Sequence, residues 1–123
     1  MAKVLIVDDA TIMRINMRKM LEKLGHEVIG EAKNGAEAVT EYEKLNPDFV
    51  TMDITMPNVG GVEDGIEATR RIAQYDYKAK IIMITSHGEQ DKVIRAIQNG
   101  ASNYILKPVK FEKLEEVVDK LSL

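Results

Sequence analysis

The 123-residue sequence predicts a doubly wound α/β domain: a five-stranded parallel sheet with five helices. Three observations predict it. Five short apolar runs alternate with five amphipathic stretches at helical spacing. The runs are apolar along their length, as strands covered on both faces are. Polar residues gather where those runs end, the edge at which open α/β sheets bind ligands.

In order, the strands are expected at Val4–Val7, Val28–Ala32, Phe49–Met52, Ile81–Thr85 and Tyr104–Leu106. Met13, Met17, Met20, Leu21 and Leu24 mark the first helix, with Gly25 placed to close it. Ala36, Val39 and Tyr42 mark the second, and Asn34 with Glu37 forms a possible capping box at its start. Ile66, Thr69, Ile72 and Ala73 mark the third. Val93, Ala96 and Ile97 mark the fourth, ended by Gly100. Phe111, Leu114, Val117, Val118 and Leu121 mark the fifth. The seven methionines fall mostly on apolar positions and read as core filler.

Length and charge narrow the function. Residues 1–123 suffice for one hydrophobic core, so a single domain without an effector domain is expected, with output through another molecule. Seventeen basic against 20 acidic residues, net charge -3, argue against nucleic acid as a partner. The absence of cysteine excludes thiol chemistry and zinc–thiolate sites. The apolar start VLIV is too short for a signal peptide or membrane span, so a cytoplasmic protein is expected. The protein is also expected to be a monomer.

The strand ends carry the chemistry. The first run stops at Asp8 and Asp9, the third at Asp53, the fourth at Thr85 and Ser86, and the fifth at Lys107. Taken singly, each has an ordinary reading: an Asp pair caps turns, Thr85-Ser86 would N-cap the fourth helix, and a lysine before Pro108 is a solvated loop residue. Jointly they suggest a phosphoryl site. If the first and third strands are neighbours, three carboxylates converge. Two of them ~4 Å apart repel by about 4 kcal/mol at an effective dielectric near 20. Such a cluster needs a cation or must hold a proton. Mg²⁺ suits it, because that ion takes one or two carboxylates and leaves room for a phosphate oxygen. A carboxylate can then act as nucleophile while an ammonium and a hydroxyl meet the phosphoryl oxygens.

The segments LIVDD, MDITMP, MITS and YILKP, in this order and at these distances, resemble the receiver domain of two-component response regulators over essentially the whole chain. Among these it is most similar to the single-domain chemotaxis type. The resemblance implies the flavodoxin-like strand order 2-1-3-4-5 that such regulators exemplify. It implies that Asp53 accepts a phosphoryl group from a phosphohistidine on a sensor histidine kinase, of the kind serving chemotaxis. It implies Mg²⁺ on Asp8, Asp9, Asp53 and the backbone carbonyl of Thr55, with Thr85 and Lys107 on the phosphoryl oxygens. Thr85 and Tyr104 match the family's switch pair, which reshapes the face of the fourth helix, fifth strand and fifth helix. Thr55 and His87 fall where the family tunes phosphoryl lifetime. The Lys107–Pro108 bond is expected to be cis. The implied output is the flagellar motor switch or, alternatively, a further phosphorelay step. The domain would catalyse only its own phosphoryl transfer and autodephosphorylation. His26, without chemical company, reads as structural.

Two other readings share the architecture. A flavodoxin-like flavin binder would want a phosphate cradle after the first strand, where this chain has DDATIM, and more than six aromatics. An aspartyl phosphatase would want DxD where Asp8 and Asp9 are adjacent.

One stretch departs from the family pattern. After MDITMP the phrase GGVE is followed at once by DGIE, so four residues are extra. Asp64 is the better N-cap, with Glu67 as its capping-box partner. Starting the helix at Val62 would bury Gly65 in its first turns, at about 1 kcal/mol relative to alanine. A lengthened loop from Ile54 to Glu63 is therefore expected. The rival is one added helical turn, since four residues rotate a helix by about 400° and nearly preserve its buried face.

Overall fold

The computed structural model describes residues 1–123. The chain alternates β1 (Lys3–Val7), α1 (Thr11–Lys23), β2 (Glu27–Ala32), α2 (Gly35–Leu45), β3 (Phe49–Asp53), α3 (Gly65–Tyr75), β4 (Ile81–Thr85), α4 (Gln90–Gln98), β5 (Asn103–Leu106) and α5 (Phe111–Asp119). The strands form one parallel sheet in the order β2-β1-β3-β4-β5.

Period-two alternation divides the core between the sheet's faces. Leu5, Val7, Val50, Met52, Ile81 and Met83 pack with α2, α3 and Ala96 of α4. Val4, Ile6, Phe49, Ile82, Ile84 and Ile105 pack with α1 and α5. The three inner strands are buried almost throughout. The edges differ from the expectation of full burial: β2 and β5 are half-exposed, because each has a neighbouring strand on one side only. Tyr104 and Leu106 consequently face outward on β5. No helix is long and apolar enough to cross a membrane.

The helix boundaries show which local signals act. Asn34 Oδ1 accepts from the Glu37 amide, and Asp64 Oδ1 from the Glu67 amide, so both expected N-caps form. Gly25 follows the α1 C-cap at φ +92°, a left-handed conformation that glycine tolerates. Glu67 corrects one expectation. Its carboxylate does not complete a capping box but takes Arg70 at 2.6 Å and Arg71 at 2.7 Å. Two guanidiniums at i+3 and i+4 outcompete one backbone amide. Thr85 and Ser86 do not cap α4 either; a turn through His87 and Gly88 separates them from its first residue, Gln90.

The first half of the doubled phrase, GGVE, is loop, α3 begins at Gly65, and the added-turn rival is excluded. Val59 and Val62 exchange backbone hydrogen bonds as a two-residue hairpin. Gly60 and Gly61 at its tip have φ of +60° and +81°, the signs a type I′ turn needs. Val62 then drops into the core, 2 % exposed, and packs on Gly35 at the start of α2. Arg71 ties down the tip by donating to the Gly61 carbonyl. Gly65 opens α3 against β3 itself: its amide donates to the Ile54 carbonyl, and any Cβ there would overlap the Asp53 carbonyl oxygen. The extra residues thus form a plugged hairpin between the strand tip and the helix.

Candidate phosphoryl and metal site

The sheet order brings together three strand ends that are far apart in sequence. β1 lies beside β3, so Asp8 and Asp53 become neighbours with Asp9 at the rim. One carboxylate oxygen from each of the three lies within 4.8 Å of the others. Asp8 and Asp53 are buried and Asp9 is exposed. Lys107 reaches in from the end of β5, its Nζ 3.2 Å from Asp53 Oδ1 and 3.8 Å from Asp8 Oδ2. The Lys107 amide donates to the Thr85 carbonyl at 2.7 Å, and the Lys107–Pro108 bond is cis, as expected.

The charges gathered at the site do not balance. Three acids share one ammonium, which leaves two negative charges unbalanced if all are ionised. Burial, and then the charge of Asp8, push Asp53 up to about 7, against the opposing pull of Lys107. Burial also raises Asp8, although the Ala10 amide and Lys107 work the other way. Desolvation disfavours the Lys107 ammonium, yet Asp53 and Asp8 outweigh it and hold its pKa above the usual lysine value. The donor set fits a hard divalent cation: clustered carboxylate oxygens, no nitrogen or sulfur ligand, and uncompensated charge. The Thr55 carbonyl, in the loop two residues after Asp53, accepts no backbone hydrogen bond and remains free for such an ion.

The other expected residues fall into two groups. Thr85 ends β4 at 2 % exposure, in the register that pairs it with Leu106 on β5. Thr55 is exposed at the site's rim. Tyr104 and His87 are not brought into the acidic cluster. The Tyr104 ring, 47 % exposed, lines a cavity of 540 Å³ between α4 and β5, together with Thr85, Val93, Ile94, Ile97 and Leu106. His87 is exposed at the tip of the β4–α4 turn, without a hydrogen bond. His26 is structural, its Nδ1 accepting from the Ala2 amide and its ring edge-on to Phe49.

Sequence reasoning missed two residues. Arg14, on the first turns of α1, donates to the Asp8 carbonyl at 2.7 Å and pairs with Glu31 at 3.1 Å, anchoring the β1 tip to β2. Glu89 accepts from Thr55, Thr85 and the Ser86 amide. Burial works against its carboxylate, but those three donors outweigh it and hold its pKa below the usual range. An acid four residues beyond a strand-ending threonine was the available signal.

Fold and site together define the class of the protein. The response regulator receiver domain family matches residues 4–119, and this chain belongs to it. It is a regulatory receiver rather than a general enzyme, which displaces the flavin-binding and phosphatase readings. The chain is 48 % identical over 118 residues to the chemotaxis protein CheY of Bacillus subtilis, covering 96 % of this chain and 95 % of the relative. It is 47 % identical to the chemotaxis protein CheY of Halobacterium salinarum over 123 residues, covering 99 % and 96 %. Among solved structures, CheY in the CheX–CheY–BeF₃–Mg²⁺ complex from Borrelia burgdorferi superposes with a TM-score of 0.89 at 33 % identity, covering 98 % of this chain and 89 % of that one.

Proposed function

We propose that Asp53 is the phosphoryl acceptor of a chemotaxis-type response regulator, served by a sensor histidine kinase and signalling to a protein target such as the flagellar motor switch. The observation that carries this reading is the buried Asp53 carboxyl beside Lys107, inside an acidic cluster short of positive charge. An Asp53 oxygen forms the new P–O bond as the P–N bond to the donor imidazole breaks, and the electron pair returns to that nitrogen. Lys107 stands where it meets negative charge on the transferred group, and Thr85 supplies a hydroxyl to another oxygen. Asp8, Asp9, Asp53 and the Thr55 carbonyl would hold Mg²⁺, whose charge would offset the carboxylates and the phosphoryl oxygens. In autodephosphorylation, water forms a P–O bond, the bond to Asp53 breaks, and the carboxylate is restored. Thr55 and His87 stand at the positions that tune that rate.

The chemotaxis assignment draws on the CheY relatives, and the output surface on the exposed Ile94, Ile97, Tyr104 and Leu106 around the α4–β5 cavity. Incubation with acetyl phosphate and Mg²⁺ should add the mass of one phosphoryl group to the intact protein. Asp53→Ala should carry none; an undiminished adduct in that variant defeats the assignment. Partners captured only with beryllofluoride present would separate a motor-switch target from a phosphorelay intermediate.

A further inference from the structure

We propose that Glu89 is a positioning residue that competes with the phosphoryl group for the Thr85 hydroxyl, and so sets how readily Asp53 becomes and stays phosphorylated. The inference rests on the phosphoryl-accepting reading of Asp53 and names a control on it.

Glu89 stands at the N-cap of α4, yet its side chain caps no amide of that helix. It turns back across the mouth of the site. Oε1 accepts from the Ser86 amide at 2.7 Å and from Thr85 Oγ1 at 3.2 Å. Oε2 accepts from Thr55 Oγ1 and faces Lys92 Nζ at 3.8 Å. One carboxylate therefore clasps both hydroxyls flanking Asp53, one from the β3–α3 loop and one from the end of β4.

The competition follows from proton counting. A threonine hydroxyl has a single proton to donate. In this structure Thr85 directs it to Glu89, and its only other acceptor is the Ser86 carbonyl at a long 3.4 Å. Thr85 is only 2 % exposed, so Glu89 is its principal acceptor in this structure. Its backbone is fixed by the hydrogen bond from the Lys107 amide, which leaves side-chain rotation as the available motion. To donate to a phosphoryl oxygen, the hydroxyl must leave Glu89. The carboxylate keeps its Ser86 and Thr55 donors, so the release is a loss of one bond and not collapse of the turn.

The test is a titration with beryllofluoride at fixed Mg²⁺, followed by amide NMR on the full chain. Glu89→Ala should bind about tenfold tighter than the unmodified protein, the scale of one hydrogen bond to a charged group. Glu89→Gln, which keeps shape and an acceptor, should fall between them and guards against misfolding of the alanine variant. In a Thr85→Ala background the gain should vanish. Unchanged affinity in both Glu89 variants overturns the inference, as does an equal gain without the Thr85 hydroxyl, which would indicate a general charge effect. Failure of the unmodified protein to bind beryllofluoride overturns the Asp53 reading and the inference with it.

Discussion

Asp53 and Glu67 bracket one connection, from the last residue of β3 to the first turn of α3, and their carboxyl groups meet opposite surroundings. Asp53 is buried, shares a single ammonium with two other acids, and is pushed up to about 7. Glu67 sits at the surface with Arg70 and Arg71 both donating to it, and is held down at about 2. The difference separates a carboxylate neutralised by its own helix from one that is not. Glu67 is balanced by its own helix and asks nothing of a ligand. Asp53 is left short of positive charge, and its proposed cation and phosphoryl chemistry rests on that imbalance.

The sharpest way to test this contrast is to remove the imbalance. In metal-free protein, Asp53 keeps its proton in the folded state where the unfolded chain releases it, between the ordinary 3.8 and about 7. A raised carboxyl pKa contributes stability at low pH that is lost as pH rises through that window. The loss should be about 2–4 kcal/mol by urea unfolding. Asp53→Asn should abolish most of the slope, leaving the smaller share from Asp8, whose pKa is also raised. Mg²⁺ at about pH 8 should restore stability to the unmodified protein, by about 1.4 kcal/mol for each tenfold excess over its dissociation constant. An unaltered pH slope in Asp53→Asn would place the raised carboxyl elsewhere in the cluster.

The fold and most of this site were legible because both are written in local pattern. Apolar runs set the strands, and acids, a hydroxyl and a lysine stood at their ends. What escaped was set by three-dimensional competition. Glu67 satisfied the capping-box spacing, but two arginines on its own helix claimed it. Glu89 looked like an ordinary residue at a helix start, because its partners Thr55 and Thr85 come from two other segments that only the sheet order brings together. Exposure of β2 and β5 likewise depends on strand order, which periodicity alone does not contain.

The connection between the two carboxyl groups provides the next tests. Gly65 lets α3 approach so closely that a Cβ would overlap the Asp53 carbonyl oxygen, a backbone atom unable to swing aside. Gly65→Ala should therefore cost about 3 kcal/mol and displace the β3 tip, weakening Mg²⁺ binding along with folding. A stable variant with intact metal affinity would show that the strand tip is held by other contacts. Val62 is the plug of the added hairpin, and Val62→Ala should cost about 2 kcal/mol in thermal or urea unfolding, with little change at the acidic cluster. That outcome would assign the extra residues to packing. A loss of Mg²⁺ affinity instead would tie the hairpin to the site.

The smallest effect is expected at Glu67, although its pKa is held down at about 2. Its arginine partners are about 40 % exposed, so water and salt screen both pairs, and ordering three long side chains offsets part of the gain. Glu67→Gln should cost only about 0.5 kcal/mol near neutrality. The sign is opposite to that at Asp53. A depressed carboxyl pKa contributes stability that is present above the ordinary 4.5 and is lost as pH falls through about 2. One pair of pH titrations therefore separates the two groups: Asp53→Asn alters the stability curve above its ordinary pKa, and Glu67→Gln alters it below. The larger effect belongs to the buried group, because burial removes the screening that makes the surface pair nearly neutral in energy.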